Sequence, residues 1–443
     1  MPSATLPKRN TKPTLVIGLG VTGFSVVRYL VTSGIDTVVA DSRQCPPCLD
    51  ELRAEFPHVS VILGEIPYGS FDHYRQIVAS PGIAVDGVSV IGDIELFARQ
   101  VNAPVIGITG SNGKSTVTML VSKMLEAANL NVKTGGNIGI PALDLLSHEA
   151  PDYYVLELSS FQLDTTQSLA CESSVVLNIS EDHMDRYSSL NHYTDSKYRV
   201  YQNAKCAVIN RDENHHKGVT ELGVRVGSFG LDVPENAGEF GIIDRHGEKG
   251  FAKGGEWFGA IRNMTMNGDQ NVSNALAAMA LIDGVGLKIT TQMMEAAFQY
   301  PGLPHRCEYV MEHGGVTWIN DSKGTNVGAT SAAIKGLDTE VILIAGGLGK
   351  DADFSPLFGV VNRKVKHAIL FGRDAGKIEE GIGDATTIHR SEGLEQAVSL
   401  ANELARYGET VLFSPACSSY DMFNSYEHRG ERFKALVLEL SCD

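Results

Sequence analysis

The chain has 443 residues, 43% hydrophobic and 20% charged, with a formal net charge of −16. That is ordinary globular material, long enough for roughly two to four domains. The acidic balance argues against a general nucleic-acid or membrane surface, so an anionic ligand needs a local cluster of cations.

No apolar run reaches membrane-spanning length, and the first residues lack the apolar core of a leader peptide. Met1 to Pro13 is polar and proline-bearing and reads as a loose tail. The cysteines, Cys45, Cys48, Cys171, Cys206, Cys307, Cys417 and Cys442, are scattered and odd in number. Reduced thiols in a cytoplasmic protein fit that better than a disulfide framework. Cys45-Pro46-Pro47-Cys48 lacks the second pair or helix start that a redox or zinc role needs, and reads as a proline-stiffened loop.

Thr14 to Ile17 is a short apolar strand, followed by Gly18-Leu19-Gly20-Val21-Thr22-Gly23 and a helical run from Phe24 to Val31. This is a dinucleotide-type fingerprint, though the same loop can hold any diphosphate. Val38 to Ala40 is the next strand, with Asp41 at its end where a ribose-binding acid is expected. Asp41-Ser42-Arg43 places hydrogen-bonding groups suited to a uridine. Ile77 to Ala79 ends in Ser80-Pro81-Gly82, either a ligand-lining strand end or a plain turn.

Val105 to Ile108 is an apolar strand that turns through Thr109, Gly110, Ser111, Asn112 and Gly113 into a helix from Lys114. Strand, glycine loop and helix in that order make a phosphate cradle, to which a lysine adds a full charge. Ile108 occupies the place of the first glycine of the usual phosphate loop, but Gly113-Lys114-Ser115-Thr116 is intact. The hydroxyl after the lysine suits a nucleotide-bound magnesium. An ordinary strand-to-helix turn leaves that run unexplained.

Gly135-Gly136-Asn137 suggests backbone held close to a ligand. The apolar strand from Tyr153 ends in Glu157, an acid that is costly to bury unless paired or metal-bound. Val175 to Ile179 leads to Ser180-Glu181-Asp182-His183-Met184-Asp185-Arg186-Tyr187, a dense mix of acids, histidine and arginine. Tyr193 to Tyr201 is helical and carries Lys197, which alone reads as a solvated lysine. Residues 223–261 alternate with glycines and charges and read as peripheral hairpins. Asn267 to Asn271 opens a small-residue helix, in which Asn271 and Asn274 share a face. Both suit a base edge; capping is the alternative for Asn271.

Pro301 to Pro304 is a linker, followed by a hairpin and Asp321-Ser322-Lys323-Gly324-Thr325-Asn326. Strands at Val341 to Ala345, His367 to Phe371 and Val411 to Ser414 each end in a polar loop, before a last helix at about Asn424 to Leu440. The pattern is a further open α/β sheet. The expected fold is α/β in three domains. Residues 1–103 form a Rossmann-like unit. Residues 104–302 form a phosphate-loop parallel sheet with a small antiparallel part. Residues 303–443 form a second Rossmann-like unit.

Taken together, the three units resemble the Mur ligases, the ATP-dependent amide ligases of peptidoglycan precursor synthesis. Thr109 to Thr116, Gly135 to Gly139, Leu156 to Leu163, Glu181 to Tyr187, Leu303 to Arg306 and Asn320 to Lys323 carry the resemblance over nearly the whole chain. Leu156 to Leu163 and Ser414 to Cys417 resemble the D-glutamate-adding members most.

The resemblance implies a monomeric enzyme. It joins D-glutamate to UDP-N-acetylmuramoyl-L-alanine through an acyl phosphate and a tetrahedral intermediate, with ATP as co-substrate and no nucleic acid or membrane as partner. Gly110, Ser111, Asn112, Gly113, Lys114, Ser115 and Thr116 would hold ATP phosphates, with Arg306 on the γ-phosphate. Asn271 and Asn274 would read adenine, and Asp321 the ribose. Ser115 and Glu157 would bind a first Mg2+, and His183 a second. Lys197 matches the position carbamylated in the family. A CO2-derived carbamate supplies metal-binding oxygens that an ammonium cannot.

Gly18, Val21, Thr22, Asp41, Ser42, Arg43, Ser80 and Gly82 would hold the UDP, with Asn137 and Ser159 on the rest of that substrate. Lys323, Thr325, Lys350, Ser414 and Phe423 would hold D-glutamate. Gln270 stands where many members have histidine, and Leu348 replaces a commonly polar residue. A folylpolyglutamate synthase is disfavoured by the N-terminal Gly18-to-Gly23 unit, and a non-catalytic nucleotide-binding regulator by Glu157, His183 and Lys197 together. A dehydrogenase would bind NAD(P), which this reading does not expect.

Overall fold

Three sheets follow one another along the chain, as the alternation of strand and helix runs requires. A computed structural model describes residues 12–83, 88–146, 149–213, 218–219, 223–266 and 268–440. The expected tail up to residue 11, Asn267 and Cys442 lie outside the described residues.

The first sheet has four parallel strands in the order Ser60–Leu63, Thr37–Asp41, Thr14–Ile17 and Gln76–Ala79. Every residue of Thr14–Ile17 is buried, as a central parallel strand covered on both faces demands. Its loop enters the helix Val21–Thr32. A Cβ on Gly23 would stand 1.9 Å from the Gly18 carbonyl oxygen, so the fingerprint glycine lets helix and strand touch.

The second sheet has nine strands, with Val105–Thr109 between Ser173–Val176 and Tyr153–Glu157, and Val132–Gly136 at the edge. Helix Lys114–Ala127 follows the central strand, and the mostly buried helix Asp269–Gly284 packs beside it. Residues 223–261 are not peripheral hairpins throughout. Arg225–Phe229 pairs parallel with Cys206–Asn210 and with Glu239–Arg245, extending the same sheet. Only Glu239–Arg245, Glu248–Lys253 and Glu256–Ala260 form an antiparallel meander. Short glycine-rich strands carry no local mark of their partner's direction.

The third sheet runs Glu308–His313, Val316–Asn320, Thr410–Phe413, Val341–Gly346, Val365–Phe371 and Thr387–Arg390, parallel except for the first. The last helix is Tyr426–Glu439. Its Phe433 stacks on Phe413 with ring centroids 4.7 Å apart.

Two local expectations change. Gly268 caps the helix Asp269–Gly284, so Asn271 lies inside its first turn rather than at the cap. Cys48 stands at the start of a short helix, Leu49–Glu55, and is buried, whereas Cys45 is exposed. The helix start thought absent after the two prolines is therefore present.

Candidate active site

The strand Val105–Thr109 delivers the glycine loop to one end of the central sheet. Gly113 caps the following helix at φ +83°, and a Cβ there would meet Asn274 Oδ1 at 2.5 Å. Glycine thus supplies both the left-handed turn and the close approach. Lys114 curls back, donating from Nζ to the carbonyls of Gly110 at 2.8 Å and Ser111 at 2.9 Å. Burial lowers its pKa, and Glu157 opposes that shift.

Glu157 ends the neighbouring strand. Asn137 Nδ2 donates to its Oε1 at 2.7 Å, while Oε2 is buried with no hydrogen-bond partner. Burial acts to raise the Glu157 pKa. Lys114, Ser115 and Asn137 outweigh it and hold the carboxyl below its usual range. Arg306, from the start of the C-terminal unit, donates from Nη2 to Ser115 Oγ at 3.0 Å.

Lys197 is not a solvated lysine. It is 1% exposed, its Nζ donating to the Gly110 carbonyl at 3.0 Å and lying 4.4 Å from the Tyr193 ring centroid. Two lysines therefore converge on one carbonyl oxygen. Burial first, then the charge of Lys114, push the Lys197 pKa well below the usual lysine value.

His183 has φ +59° and packs against Phe161 with tilted rings, their centroids 4.8 Å apart. Burial lowers its pKa against the pull of Asp182. Asp182 also meets Lys350 Nζ at 3.4 Å and Asn326 Nδ2 at 3.4 Å, both from the C-terminal unit.

A cleft beside the loop is lined by Gly113, Thr116, Asn271, Asn274, Arg306 and Asp321 among others. Asn274 Nδ2 donates to Asn271 Oδ1 at 3.4 Å, so the expected pair does share a face. Asp321 accepts from the Cys307 amide at 3.2 Å and from Ser414 Oγ at 2.7 Å, and burial raises its pKa to about 6. Lys323 sits 3.6 Å from the Tyr426 ring centroid, its pKa lowered to about 8 by burial and then by Arg306.

The remaining amino-acid-site candidates separate. Thr325 is partly buried two residues beyond Lys323. Ser414 is wholly buried, its hydroxyl committed to Asp321 and Thr330. Phe423 packs on the apolar cluster around Phe413 and Phe433. Sequence reasoning missed Tyr426, which no spacing distinguishes from any residue in the first turn of a helix. It also missed Arg429, whose buried guanidinium donates to Ser322 Oγ, Ser322 O and Cys417 O and so ties two site loops together.

In the N-terminal unit Asp41 accepts from the Leu19 amide at 2.8 Å, and Arg43 Nη2 donates to it at 2.7 Å. The Arg43 hydrogen bond, against burial, holds the Asp41 pKa at about 2. Ser42 and Gly82 are exposed, Val21 is 64% exposed, and Thr22 is partly buried. Ser80 Oγ donates to the Gly18 carbonyl at 3.2 Å. Ser159 is bound up in a capping box with Gln162.

Three family models match in order. They are the Mur ligase MurD-like N-terminal domain at residues 12–96, the Mur ligase middle domain at 108–282 and the Mur ligase glutamate ligase domain at 305–417. A UDP-N-acetylmuramoylalanine–D-glutamate ligase from Marinobacter nauticus is 47% identical over 437 residues, 96% of this chain and 97% of that protein. One from Pseudomonas savastanoi pv. phaseolicola is 46% identical over 441 residues, 96% of this chain and 98% of that protein. Among solved structures, a pseudomurein peptide ligase type C from Methanothermus fervidus matches with a TM-score of 0.61 at 18% identity, over 97% of this chain and all of that one. The UDP-N-acetylmuramate-alanine ligase of Thermotoga maritima gives 0.61 at 16% identity, again over 97% of this chain and 100% of that one, which speaks for the fold. The chain therefore belongs to the Mur ligase family, among the UDP-N-acetylmuramoylalanine–D-glutamate ligases.

Proposed function

We propose that the protein is a cytoplasmic ligase that uses ATP to join D-glutamate to UDP-N-acetylmuramoyl-L-alanine in peptidoglycan precursor synthesis. The observation that carries this is similarity, at 47% identity over 96% of the chain, to a ligase of that name. Residues 1–103 would hold the UDP substrate, residues 104–302 ATP, and residues 303–443 the amino acid.

The substrate carboxylate takes the γ-phosphoryl group of ATP, and ADP leaves with the electron pair of the broken P–O bond. The amine of D-glutamate then attacks the acyl phosphate, a C–N bond forms, the amine gives up a proton, and phosphate leaves with its bonding pair. Bringing anionic oxygens together needs charge neutralisation. Lys114 and the first-turn amides would supply it to the ATP phosphates, and Arg306, beside Ser115, to the γ-phosphate. Lys323 on the Tyr426 ring, Thr325 and Lys350 would receive the amino acid carboxylates.

The residues fit magnesium. The Glu157 carboxylate, whose Oε2 has no partner, and the Ser115 hydroxyl that interacts with that carboxylate offer hard oxygen ligands, and the lowered pKa of His183 favours a neutral imidazole able to ligate. Among the described residues no cluster of three His, Cys, Asp or Glu makes a closed cage. Bound at Glu157 and Ser115, Mg2+ would offset charge on the transferring phosphoryl group.

Lys197 supports a carbamate. Burial and the Lys114 charge favour release of the Lys197 proton, and the lone pair of the neutral amine can then attack CO2, forming an N–C bond and releasing a proton. Lys197→Ala is expected to lose activity and to be partly rescued by short carboxylates. Full activity of the variant, or loss without rescue, would count against the carbamate.

The decisive assay is phosphate release from ATP with UDP-N-acetylmuramoyl-L-alanine, comparing D-glutamate, L-glutamate and L-lysine. Release stimulated by D-glutamate alone is expected. Stimulation by L-lysine instead would reassign the amino acid substrate.

A further inference from the structure

Several side chains brace the phosphate loop from outside, and among them Asn178 is bonded to both the N–H and the C=O of one loop residue. The loop lacks the first glycine of the usual motif, with Ile108 in its place, and is held by a zipper to the segment after strand Ser173–Val176. Leu177 N donates to Thr109 O at 2.9 Å, Ser111 N to Asn178 O at 2.9 Å, and Ser180 N to Ser111 Oγ at 2.9 Å. Within that zipper the Asn178 carboxamide grips a single loop residue at both ends. Its Oδ1 accepts from Asn112 N at 2.8 Å, and its Nδ2 donates to Asn112 O at 3.1 Å.

We propose that Asn178 is a positioning residue for ATP, fixing the orientation of the Asn112 backbone so that the following turn faces the phosphates. The inference rests on ATP being the ligand of this loop. It has a structural consequence. The amides of Ser111 and Asn112 are already taken by Asn178, so anion binding falls to the amides from Gly113 onward, at the helix start, and to Lys114. The segment that carries Asn178 runs on to Asp182 and His183, so the brace also sets the phosphate loop against the predicted metal loop.

A leucine has nearly the same shape as asparagine and removes both polar ends. Asn178→Leu is expected to raise the KM for ATP, and the Kd of a non-hydrolysable ATP analogue measured by calorimetry, about tenfold or more. The KM values for the UDP substrate and D-glutamate should stay within about twofold. Asn178→Asp keeps the acceptor for Asn112 N but sets an anionic oxygen against Asn112 O. It should weaken ATP further than leucine does, and it decides the question if the leucine variant fails to fold. An unchanged KM for ATP in the folded variants would overturn the inference. So would a parallel shift of all three KM values with a fall in Tm, which marks a merely structural role. If the wild-type protein binds no ATP analogue, the proposed function itself fails.

Discussion

The two junctions between the three units are made of different material. Between the N-terminal and central units the contact is continuous interior. One apolar cluster takes in Val16, Val39 and Val78 of the first sheet together with Phe97, Tyr154 and Leu156. Two nearly buried carboxylates lie in it. Glu95 accepts from the amides of Gln167 at 2.8 Å and Ser168 at 2.9 Å and from the Ser168 hydroxyl at 2.9 Å, and Asp93 accepts from Gln162 Nε2 at 3.0 Å. Between the central and C-terminal units the side-chain hydrogen bonds at the site are polar: Arg306 with Ser115, Asn326 with Asn112 and Asp182, and Lys350 with Asp182. The apolar clusters of the C-terminal sheet are its own. An apolar junction costs its buried core to open, whereas a polar one exchanges its partners for water or ligand. The first two units should therefore move as one body, with the amino acid unit closing on them.

The largest effect is expected at the polar junction. Lys350→Ala removes the cation facing Asp182 and a proposed D-glutamate contact. It should lower kcat/KM for D-glutamate by about 10³, equivalent to about 4 kcal/mol, with Tm within about 2 °C of wild type. A drop in Tm with kcat/KM retained would make the junction structural and erase the contrast. At the apolar junction the pattern should reverse. Glu95→Ala leaves two amides, a hydroxyl and the Arg99 guanidinium without their acceptor. The cost to stability, read by urea unfolding, should be about 3 kcal/mol, with the KM values little changed.

The chemistry at the loops was more legible than the junctions that hold them. Gly113-Lys114-Ser115-Thr116 announces itself because one short stretch must supply turn, charge and hydroxyl. Ser159, expected on the UDP substrate, instead forms a capping box with Gln162, a role its spacing would have allowed but which the substrate reading passed over. Asp93 and Glu95, by contrast, look like ordinary acids in the first turn of a short helix, because their partners Gln162 and Ser168 lie some seventy residues away. Lys197 read as a surface lysine for the same reason: its helix is only weakly amphipathic, and what buries the amine is the distant Gly110 and Tyr193. Ser414 attracted attention for its motif, yet its hydroxyl is spent inside on Asp321.

Asp93 sharpens the comparison through pH. Burial raises its pKa from 3.8 to about 6, and its Oδ1 has no partner. A carboxyl whose folded pKa is raised favours the folded state when protonated. Its contribution is complete below about pH 4 and is lost as pH rises through about 6. The loss is at most about 3 kcal/mol, from 1.36 kcal/mol per pKa unit. Asp93→Asn removes this titration. Its stability relative to wild type should therefore rise between about pH 4 and pH 7. A difference that stays flat over that range would mean that Asp93 is not the buried titrating group.

The smallest effect belongs to Asn326, which serves two purposes at once. Its Oδ1 caps the helix Val327–Lys335 by accepting from Ala329 N at 2.8 Å, while its amide reaches Asn112 at 3.2 Å across the polar junction. Asn326→Ala removes both, and Asn326→Ser restores the cap with a side chain too short to span the junction. The alanine variant should lose about 1 kcal/mol of stability and the serine variant only a few tenths, since the cap carries most of that term. Any loss of closure should be shared equally by the two. Small-angle scattering of the ligand-free protein tests this: an equal increase in radius of gyration for both variants separates the junction contact from the helix cap. An increase confined to the alanine variant would mean that the cap alone governs the arrangement, and that the polar junction contributes nothing of its own at this position.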